Sequence, residues 1–159
     1  MRAALITVST SRAAGERDDE SGERLAEFAG SIGAEIAGRE ILPDDLEAIS
    51  ESLRRWADGE GCELVLTSGG TGLGPTDVTP EATRQAIDRE APGIAEAMRL
   101  ASREHTPHWM LSRGTAGVRG RTLIVNFPGS PASIAQAGEA IRGSLPHALR
   151  LISGAGDHG

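Results

Sequence analysis

The sequence contains no lysine, and each of its 16 basic residues is an arginine. This absence excludes three kinds of site that need an amine: a Walker-type phosphate loop, a Schiff base and a lysine nucleophile. If this chain binds a polyphosphate, the negative charge must be neutralised by backbone N–H groups, arginine and a metal ion.

Aromatic residues are also scarce, at 3% of the chain, and tyrosine is absent. The core must therefore be built from valine, isoleucine, leucine and alanine. Proteins bind single-stranded nucleic acids by stacking the bases on aromatic side chains. This chain has too few aromatic residues for such a binding surface. The net charge of −7 argues further against nucleic acid and against a membrane surface as partners.

One cysteine, Cys62, excludes an internal disulfide and a thiolate metal cluster. No apolar run approaches the length of a membrane-spanning helix, and the first residues become polar too soon for a signal peptide. We therefore expect a cytoplasmic protein. The histidines have no spacing typical of a metal site; they are His105, His108, His147 and His158.

The order of apolar segments predicts an α/β fold. Apolar runs at residues 3–8, 64–67 and 122–126 indicate buried strands, and segments of helical periodicity alternate with them. We predict a mostly parallel central sheet with helices on both faces. The length fits a single domain, which we assign to residues 1–153, followed by a flexible tail over 154–159.

Caps and apolar spacing predict the helix boundaries. Residues 80–90 are predicted as one helix, with Thr79 as its N-cap. Apolar residues on one stripe over 134–152 predict a single last helix, which Ser130 caps and Pro131 opens.

The most informative segment is ELVLTSGGTGLGPTDVTPEAT, residues 63–83. A short apolar strand runs into a glycine-rich turn, and an acid follows at Asp77. Such a turn aims backbone N–H groups at phosphate, while its hydroxyls and acid suit Mg²⁺-phosphate better than phosphate alone. A plain tight turn is the alternative. The candidate binding residues of this turn are Ser68, Gly69, Gly70, Thr71 and Gly72.

Asp44 and Asp77 are the candidate metal ligands. Asp77 could instead help to cap the helix that follows it, although Thr79 is the better cap. Asp44-x-x-Glu47 has the spacing of a capping box, so capping is a strong alternative for Asp44. If both acids follow the carboxyl ends of strands, they could share one Mg²⁺.

A second glycine turn follows the strand at 122–126 and consists of Pro128, Gly129, Ser130 and Pro131. Two such turns at two strand ends suggest one elongated ligand lying across both. Ser112 and Arg113 precede a glycine and could clamp an anion; an ordinary surface pair is the alternative.

Basic residues are concentrated in one part of the chain. Residues 101–150 contain six arginines but only two glutamates and no aspartate. Either this is a solvated face, or Arg113, Arg119 and Arg121 form an edge that faces an anion.

Five segments resemble the molybdenum-cofactor biosynthesis proteins of the MogA/MoaB type. The resemblance covers about residues 3–153, with the family's segments in the family's order. The GGTG…DVTPEAT stretch, followed later by SR…AG and PG-P, is highly specific for this family. The segments are TSGGTGLGPTDVTPEAT, ILPDDLEAI, PGIAEAMR, LSRGTAGVRG and NFPGSPASI.

The resemblance implies a three-layer α/β/α fold, commonly a homotrimer, and adenylylation of molybdopterin with Mg²⁺-ATP. The product would pass to a separate molybdate-inserting protein. By motif, Asp44 and Asp77 match the family's two functional acids, and residues 68–72 match its nucleotide loop. Ser112 and Arg113 fall in the region associated with the pterin, as do Pro128, Gly129, Ser130 and Pro131.

One position departs from the family pattern. The first strand ends in Val8-Ser9-Thr10, where many relatives carry Ser-Asp, so a carboxylate is absent at Thr10. The family also includes paralogues of uncertain activity. The alternative to an adenylyltransferase is therefore a non-catalytic molybdopterin-binding or scaffold protein.

Overall fold

One sheet runs through the middle of the molecule, and its three central strands are buried and rich in leucine, isoleucine and valine. The structure is a computed structural model that describes residues 1–155. Its strands are Arg2–Val8 (β1), Glu35–Leu42 (β2), Leu64–Ser68 (β3), Arg89–Glu90 (β4), Ala116–Arg119 (β5) and Thr122–Phe127 (β6).

The helices connect these strands and cover both faces of the sheet. They are Thr10–Ala13 (α1), Glu20–Ser31 (α2), Leu46–Arg54 (α3), Thr79–Ala86 (α4), Pro92–Ser102 (α5), Pro131–Ile141 (α6) and Leu145–Ile152 (α7). A π-helical turn at Arg55–Gly59 extends α3, and a 3-10 turn lies at Trp109–Leu111.

The strand order is β2-β1-β3-β6-β5-β4. The first four strands in this order are parallel, whereas β5 and β4 add an antiparallel edge. The prediction of a mostly parallel sheet in one α/β domain is confirmed. In the register, Ser68 pairs with Thr7 and with Phe127, so the carboxyl ends of the three central strands lie side by side.

Alternate residues of β1 enter two different cores. Ala3 and Leu5 belong to the core under α2, α5, α6 and α7. Ala4, Ile6 and Val8 belong to the core under α3 and α4. Because successive side chains of a strand point to opposite faces, this division places a layer of helices on each side of the sheet. The predicted three-layer arrangement is therefore present.

The two phenylalanines meet in the larger core. The ring centroids of Phe28 on α2 and Phe127 on β6 are 5.2 Å apart, with the ring planes tilted by 54°. A Cβ at Gly138 on α6 would come within 2.7 Å of the Phe28 ring. The absence of a side chain at Gly138 thus lets α6 pack closely on α2.

Two predicted helices differ from the structure. The helix predicted over 80–90 ends at Ala86, and Asp88 N donates to Val118 O, so 89–90 becomes the edge strand β4. Hydrogen bonds offered by the edge of β5 override the local helical preference.

The single last helix predicted over 134–152 is two helices, α6 and α7. Pro146 explains the break, because proline has no N–H to donate and clashes with the carbonyl of residue 142 in a continuous helix. Ser130 does cap α6, accepting from Ser133 N at 3.2 Å, and Pro131 opens it as predicted. Of the predicted tail over 154–159, residues 156–159 lie outside the described residues.

The core provides a first prediction. Phe127 has no solvent exposure, so Phe127→Ala should leave a cavity and lower the free energy of unfolding by about 3–5 kcal/mol. Leu100, which is 57% exposed on α5, is the control, and Leu100→Ala should change that free energy by less than about 0.5 kcal/mol. Urea denaturation at equal protein concentration measures both. Equal losses in the two variants would contradict this description of the core.

Candidate active site

The two glycine turns predicted from the sequence are in contact at the carboxyl edge of the sheet. A Cβ at Gly129 would lie 3.4 Å from Gly69 Cα. Gly69 N also donates to Phe127 O at 3.3 Å, which joins the end of β3 to the end of β6. The two turns therefore form one continuous surface.

Positive backbone angles shape the first turn. Gly69 has φ +92° and Gly70 has φ +67°, a region that favours glycine. A Cβ at Gly69 would overlap the carbonyl oxygen of Val8, and one at Gly70 would overlap Thr79 Oγ1. The backbone of the turn is thus packed between the end of β1 and the start of α4.

Thr79 does not cap α4, contrary to the prediction. The N-cap is Val78, and no side chain completes the cap. Thr79 N instead donates to Gly70 O at 3.1 Å, and its side chain is buried against the turn. The reason is that Thr79 packs into the turn, where its hydroxyl and that of Ser68 are buried with no hydrogen-bond partner in the described structure.

Asp77 lies against the glycine turn and does not cap α4. Its Oδ2 accepts from Gly74 N at 3.0 Å. The same oxygen would be 2.8 Å from a Cβ at Gly72 and 2.9 Å from one at Gly74. Glycine at both positions makes room for the carboxylate beside the backbone of the turn.

The capping alternative for Asp44 is wrong, because Asp45 is the N-cap of α3. Asp45 Oδ1 accepts from Ala48 N at 3.1 Å. Asp44 turns instead toward the start of α1, where Thr10 Oγ1 donates to Asp44 Oδ2 at 2.9 Å. The other oxygen, Oδ1, would lie 3.3 Å from a Cβ at Gly70. Asp44 therefore lies between Thr10 of α1 and the glycine turn.

The two acids flank one turn. Asp44 approaches it at Gly70 and Asp77 at Gly72, and two residues span at most about 7 Å of chain. Among residues 1–155 no group of three acidic, histidine or cysteine side chains could enclose a metal. One or two carboxylates completed by substrate phosphates suit Mg²⁺, which seldom binds in an all-protein cage. The donors present thus fit a magnesium-phosphate group.

Arg113 binds the first turn from the side. Its Nε donates to Gly72 O at 2.8 Å and its Nη2 to Asp77 O at 2.8 Å. Its Nη1 and Nη2 pair with both carboxylate oxygens of Glu81 at 2.7 and 3.1 Å. Its backbone N donates to Thr71 O at 2.7 Å. All three guanidinium nitrogens are thus used to hold the turn.

This ion pair shifts both partners. The hydrogen bond from Arg113 lowers the pKa of Glu81 and outweighs its partial burial. The same bond raises the pKa of Arg113. Both groups stay charged at neutral pH, so the clamp on the turn is constant there.

Ser112 and the second turn are held by residues that the sequence did not single out. Arg99 Nη1 on α5 donates to Gly114 O at 2.8 Å and to Ser112 O at 3.4 Å. Ser21 Oγ on α2 donates to Gly129 O at 2.6 Å. Pro128, Ser130 and Pro131 join Gly129 in the turn that leads from β6 into α6.

Arg113, Arg119 and Arg121 do not form one edge, contrary to that alternative. Arg119 lies at the opposite end of the sheet, where its Nη2 pairs with Asp58 at 2.7 Å and its hydrogen bond lowers the pKa of Asp58. Arg121 follows in the β5–β6 hairpin and lines a cavity of about 650 Å³ at the amino ends of the strands. The antiparallel hairpin carries these two arginines away from Arg113.

Sequence reasoning missed the supporting contacts of four residues. Their partners lie far away in the chain, as with Thr10 and Asp44, so no local spacing indicates them. The sequence offered one signal: without lysine, any contact that needs a basic side chain other than histidine must come from an arginine. The four residues are Thr10, Ser21, Glu81 and Arg99.

Similarity to one protein family extends over most of the chain. Residues 4–147 match a family described as "Probable molybdopterin binding domain". The crystal structure of the molybdopterin biosynthesis enzyme MoaB from Thermus thermophilus is 50% identical, with a TM-score of 0.91, and 98% of each chain is covered.

Two bacterial proteins named molybdopterin adenylyltransferase are also similar. The Escherichia coli (strain K12) protein is 34% identical over 97% of this chain and 86% of its own length. The Helicobacter pylori (strain J99) protein is 42% identical over 72% of this chain. The aligned part spans only 65% of the Helicobacter protein.

The close approach at Gly69 provides a second prediction. Gly69→Ala should lower the free energy of unfolding by about 2 kcal/mol or more, because Cβ adds strain at positive φ and overlaps a backbone oxygen. Gly93 on α5 has open space around it, so Gly93→Ala should be neutral or stabilise by up to about 1 kcal/mol. Urea denaturation compares the two. A neutral Gly69→Ala would contradict the described turn.

The Arg113 clamp provides a third prediction. Because the pKa of Glu81 is lowered on folding, its ion pair contributes stability above the unfolded pKa of about 4.3. That contribution is lost as the pH falls through the lower folded pKa. The stability difference between wild type and Glu81→Gln should therefore be present at pH 7 and shrink below about pH 4.

Denaturation at several pH values measures this difference. Glu96→Gln, on the exposed face of α5, is the matched control and should give a small difference at every pH. If the Glu81→Gln difference stayed constant from pH 7 to pH 3, the ion pair would not stabilise the turn.

Proposed function

The chain belongs to the molybdenum-cofactor family of molybdopterin-binding domains, and we propose that it is a molybdopterin adenylyltransferase. An oxygen of the pterin's terminal phosphate would attack the α-phosphorus of ATP. The bond from that phosphorus to the β-phosphate oxygen would break, releasing pyrophosphate and leaving adenylyl-molybdopterin. The nucleophile is already an anion near neutral pH, so the reaction needs no side chain to activate it.

The observation that carries this proposal is the pair of acids against one glycine turn. Asp77 lies beside Gly72 and Asp44 beside Gly70. Asp44 does not cap α3, and Asp77 does not cap α4. Such a pair, next to a backbone that a phosphate can approach, supports magnesium-dependent phosphoryl chemistry.

Asp44 and Asp77 would hold Mg²⁺ with the nucleotide phosphates. When bound, the ion neutralises charge that develops on the α-phosphate and on the leaving pyrophosphate. The turn from Ser68 to Gly72 would hold the ATP phosphates through its backbone. Positioning and electrostatic stabilisation supply most of the rate enhancement in reactions of this type.

The pterin would lie across the second turn. Gly129 contacts Gly69, so a molecule bound over residues 128–131 would reach the nucleotide turn directly. Ser112 lies on the same edge, next to Arg113. Because Arg113 donates to Gly72, Asp77 and Glu81, we assign it to holding the nucleotide turn beside the pterin rather than to clamping a phosphate.

The assembly and partners complete the proposal. A homotrimer would cover apolar side chains that the single chain leaves exposed, among them Met110 at 60% and Leu111 at 44% exposure. The product would pass to a molybdate-inserting protein in the cytoplasm. No helix among residues 1–155 is long and apolar enough to cross a membrane.

A second candidate function is a binding protein that holds molybdopterin without turning it over. Thr10 favours it, because the family pattern implied by the resemblance has an acid at this position. The two candidates differ in one measurement, pyrophosphate release. Incubation of the purified protein with molybdopterin and Mg²⁺-ATP should yield adenylyl-molybdopterin and pyrophosphate. Calorimetric binding of the pterin without ATP-dependent product would instead favour the binding protein.

Asp77→Asn provides the fourth prediction. The variant should lose pyrophosphate release by at least about 100-fold, because a carboxylate that holds the metal is replaced by a neutral amide. The fold should survive, since an asparagine oxygen can still accept from Gly74 N. Pyrophosphate assay and thermal unfolding measure the two effects.

Asp58→Asn is the control for that experiment. Asp58 is an acid of the same type that pairs with Arg119 at the opposite end of the sheet. This variant should keep normal turnover. Normal turnover in Asp77→Asn would mean that Asp77 does not hold the metal.

A further inference from the structure

Asp44 is held by a residue outside its own loop. Thr10, the first residue of α1, donates to Asp44 Oδ2 from Oγ1 at 2.9 Å and from its backbone N at 3.3 Å. In return, Asp44 N donates to Thr10 Oγ1 at 3.1 Å. The hydroxyl thus has both a donor and an acceptor role in the same contact.

These bonds make the two oxygens of the carboxylate different. Oδ2 receives both bonds from Thr10. Oδ1 points the other way and would be 3.3 Å from a Cβ at Gly70. The contact therefore fixes the carboxylate plane and presents one oxygen to the glycine turn.

A fixed single oxygen suits Mg²⁺. This ion demands near-ideal octahedral geometry, so a carboxylate that can rotate or bind through both oxygens is a poorer ligand. Removing a group that orients a metal ligand typically weakens metal binding about 10–100-fold. Thr10 is also neutral, so it orients Asp44 without adding a second negative charge beside it.

We propose that Thr10 is a positioning residue that orients Asp44 so that Oδ1 binds the nucleotide-bound divalent cation. The proposal rests on the proposed function, because it needs Asp44 to be a metal ligand. In this role Thr10 would act through Asp44 and would bind neither the metal nor the phosphates itself. Its effect should therefore appear in metal affinity rather than in the chemical step.

Thr10→Val and Thr10→Ser test the hydroxyl. Valine keeps the branched shape and the backbone N–H but removes Oγ1, while serine keeps the hydroxyl. Thr10 is exposed in a four-residue helix, so neither change should prevent folding, and thermal unfolding checks this. The probe is Mn²⁺ with the α,β-methylene analogue of ATP, in which the bond that would release pyrophosphate cannot break. Electron paramagnetic resonance measures the free Mn²⁺.

We expect Thr10→Val to raise the Kd for Mn²⁺ by about 10-fold or more, with Thr10→Ser within about 2-fold of wild type. In the turnover assay, Thr10→Val should need more Mg²⁺ for half-maximal rate but reach nearly the wild-type rate at saturation. Wild-type Mn²⁺ affinity in Thr10→Val would overturn the proposal. Equal losses in the valine and serine variants would overturn it too, since the hydroxyl would not be the cause.

Asp44→Asn separates this proposal from the proposed function. If Asp44→Asn binds Mn²⁺ as wild type does, Asp44 is not a metal ligand and the proposed metal site itself fails. If Asp44→Asn loses Mn²⁺ while Thr10→Val keeps it, the metal site stands and only the role of Thr10 is overturned.

Discussion

The site depends on one steric constraint, the close approach of the Gly69 backbone to the carbonyl oxygen of Val8. A side chain at this position would push β1 and β3 apart at their carboxyl ends. With glycine there, Gly69 also reaches Gly129 and bonds to Phe127 O. The ends of three parallel strands thus close into one backbone surface, which is where α/β proteins bind ligands.

Residues from other parts of the chain contact both acidic residues on that surface. Thr10 crosses from the end of β1 to hold Asp44, and Arg113 crosses from the loop before β5 to hold the Asp77 carbonyl. A guanidinium can bind two carbonyls and a carboxylate at once because its donors point in fixed, diverging directions. Lysine, which the sequence lacks, has no such planar fork. The use of arginine rather than lysine therefore suits the structural role of Arg113, which is to hold the glycine turn.

Local sequence reasoning succeeded where the cause is local and failed where a distant contact competes. Ser130 caps α6 because its hydroxyl meets Ser133 N three residues on. Thr79 was expected to cap α4 by the same rule, but it packs against Gly70 instead. Capping was the strong alternative for Asp44, but Asp45 is the N-cap of α3. Asp44 bonds instead to Thr10, which lies 34 residues away.

The alternation of strands and helices, the two glycine turns and the two acids can be predicted from the sequence, because apolar periodicity and glycine position are properties of short segments. Only the folded chain shows that the turns touch and that Asp44 does not cap α3. It also shows that Arg113 binds the turn while Arg119 lies at the other end of the sheet. Strand register and the antiparallel hairpin bring these residues together or apart. Neither can be read from spacing, since both depend on pairing between segments far apart in the chain.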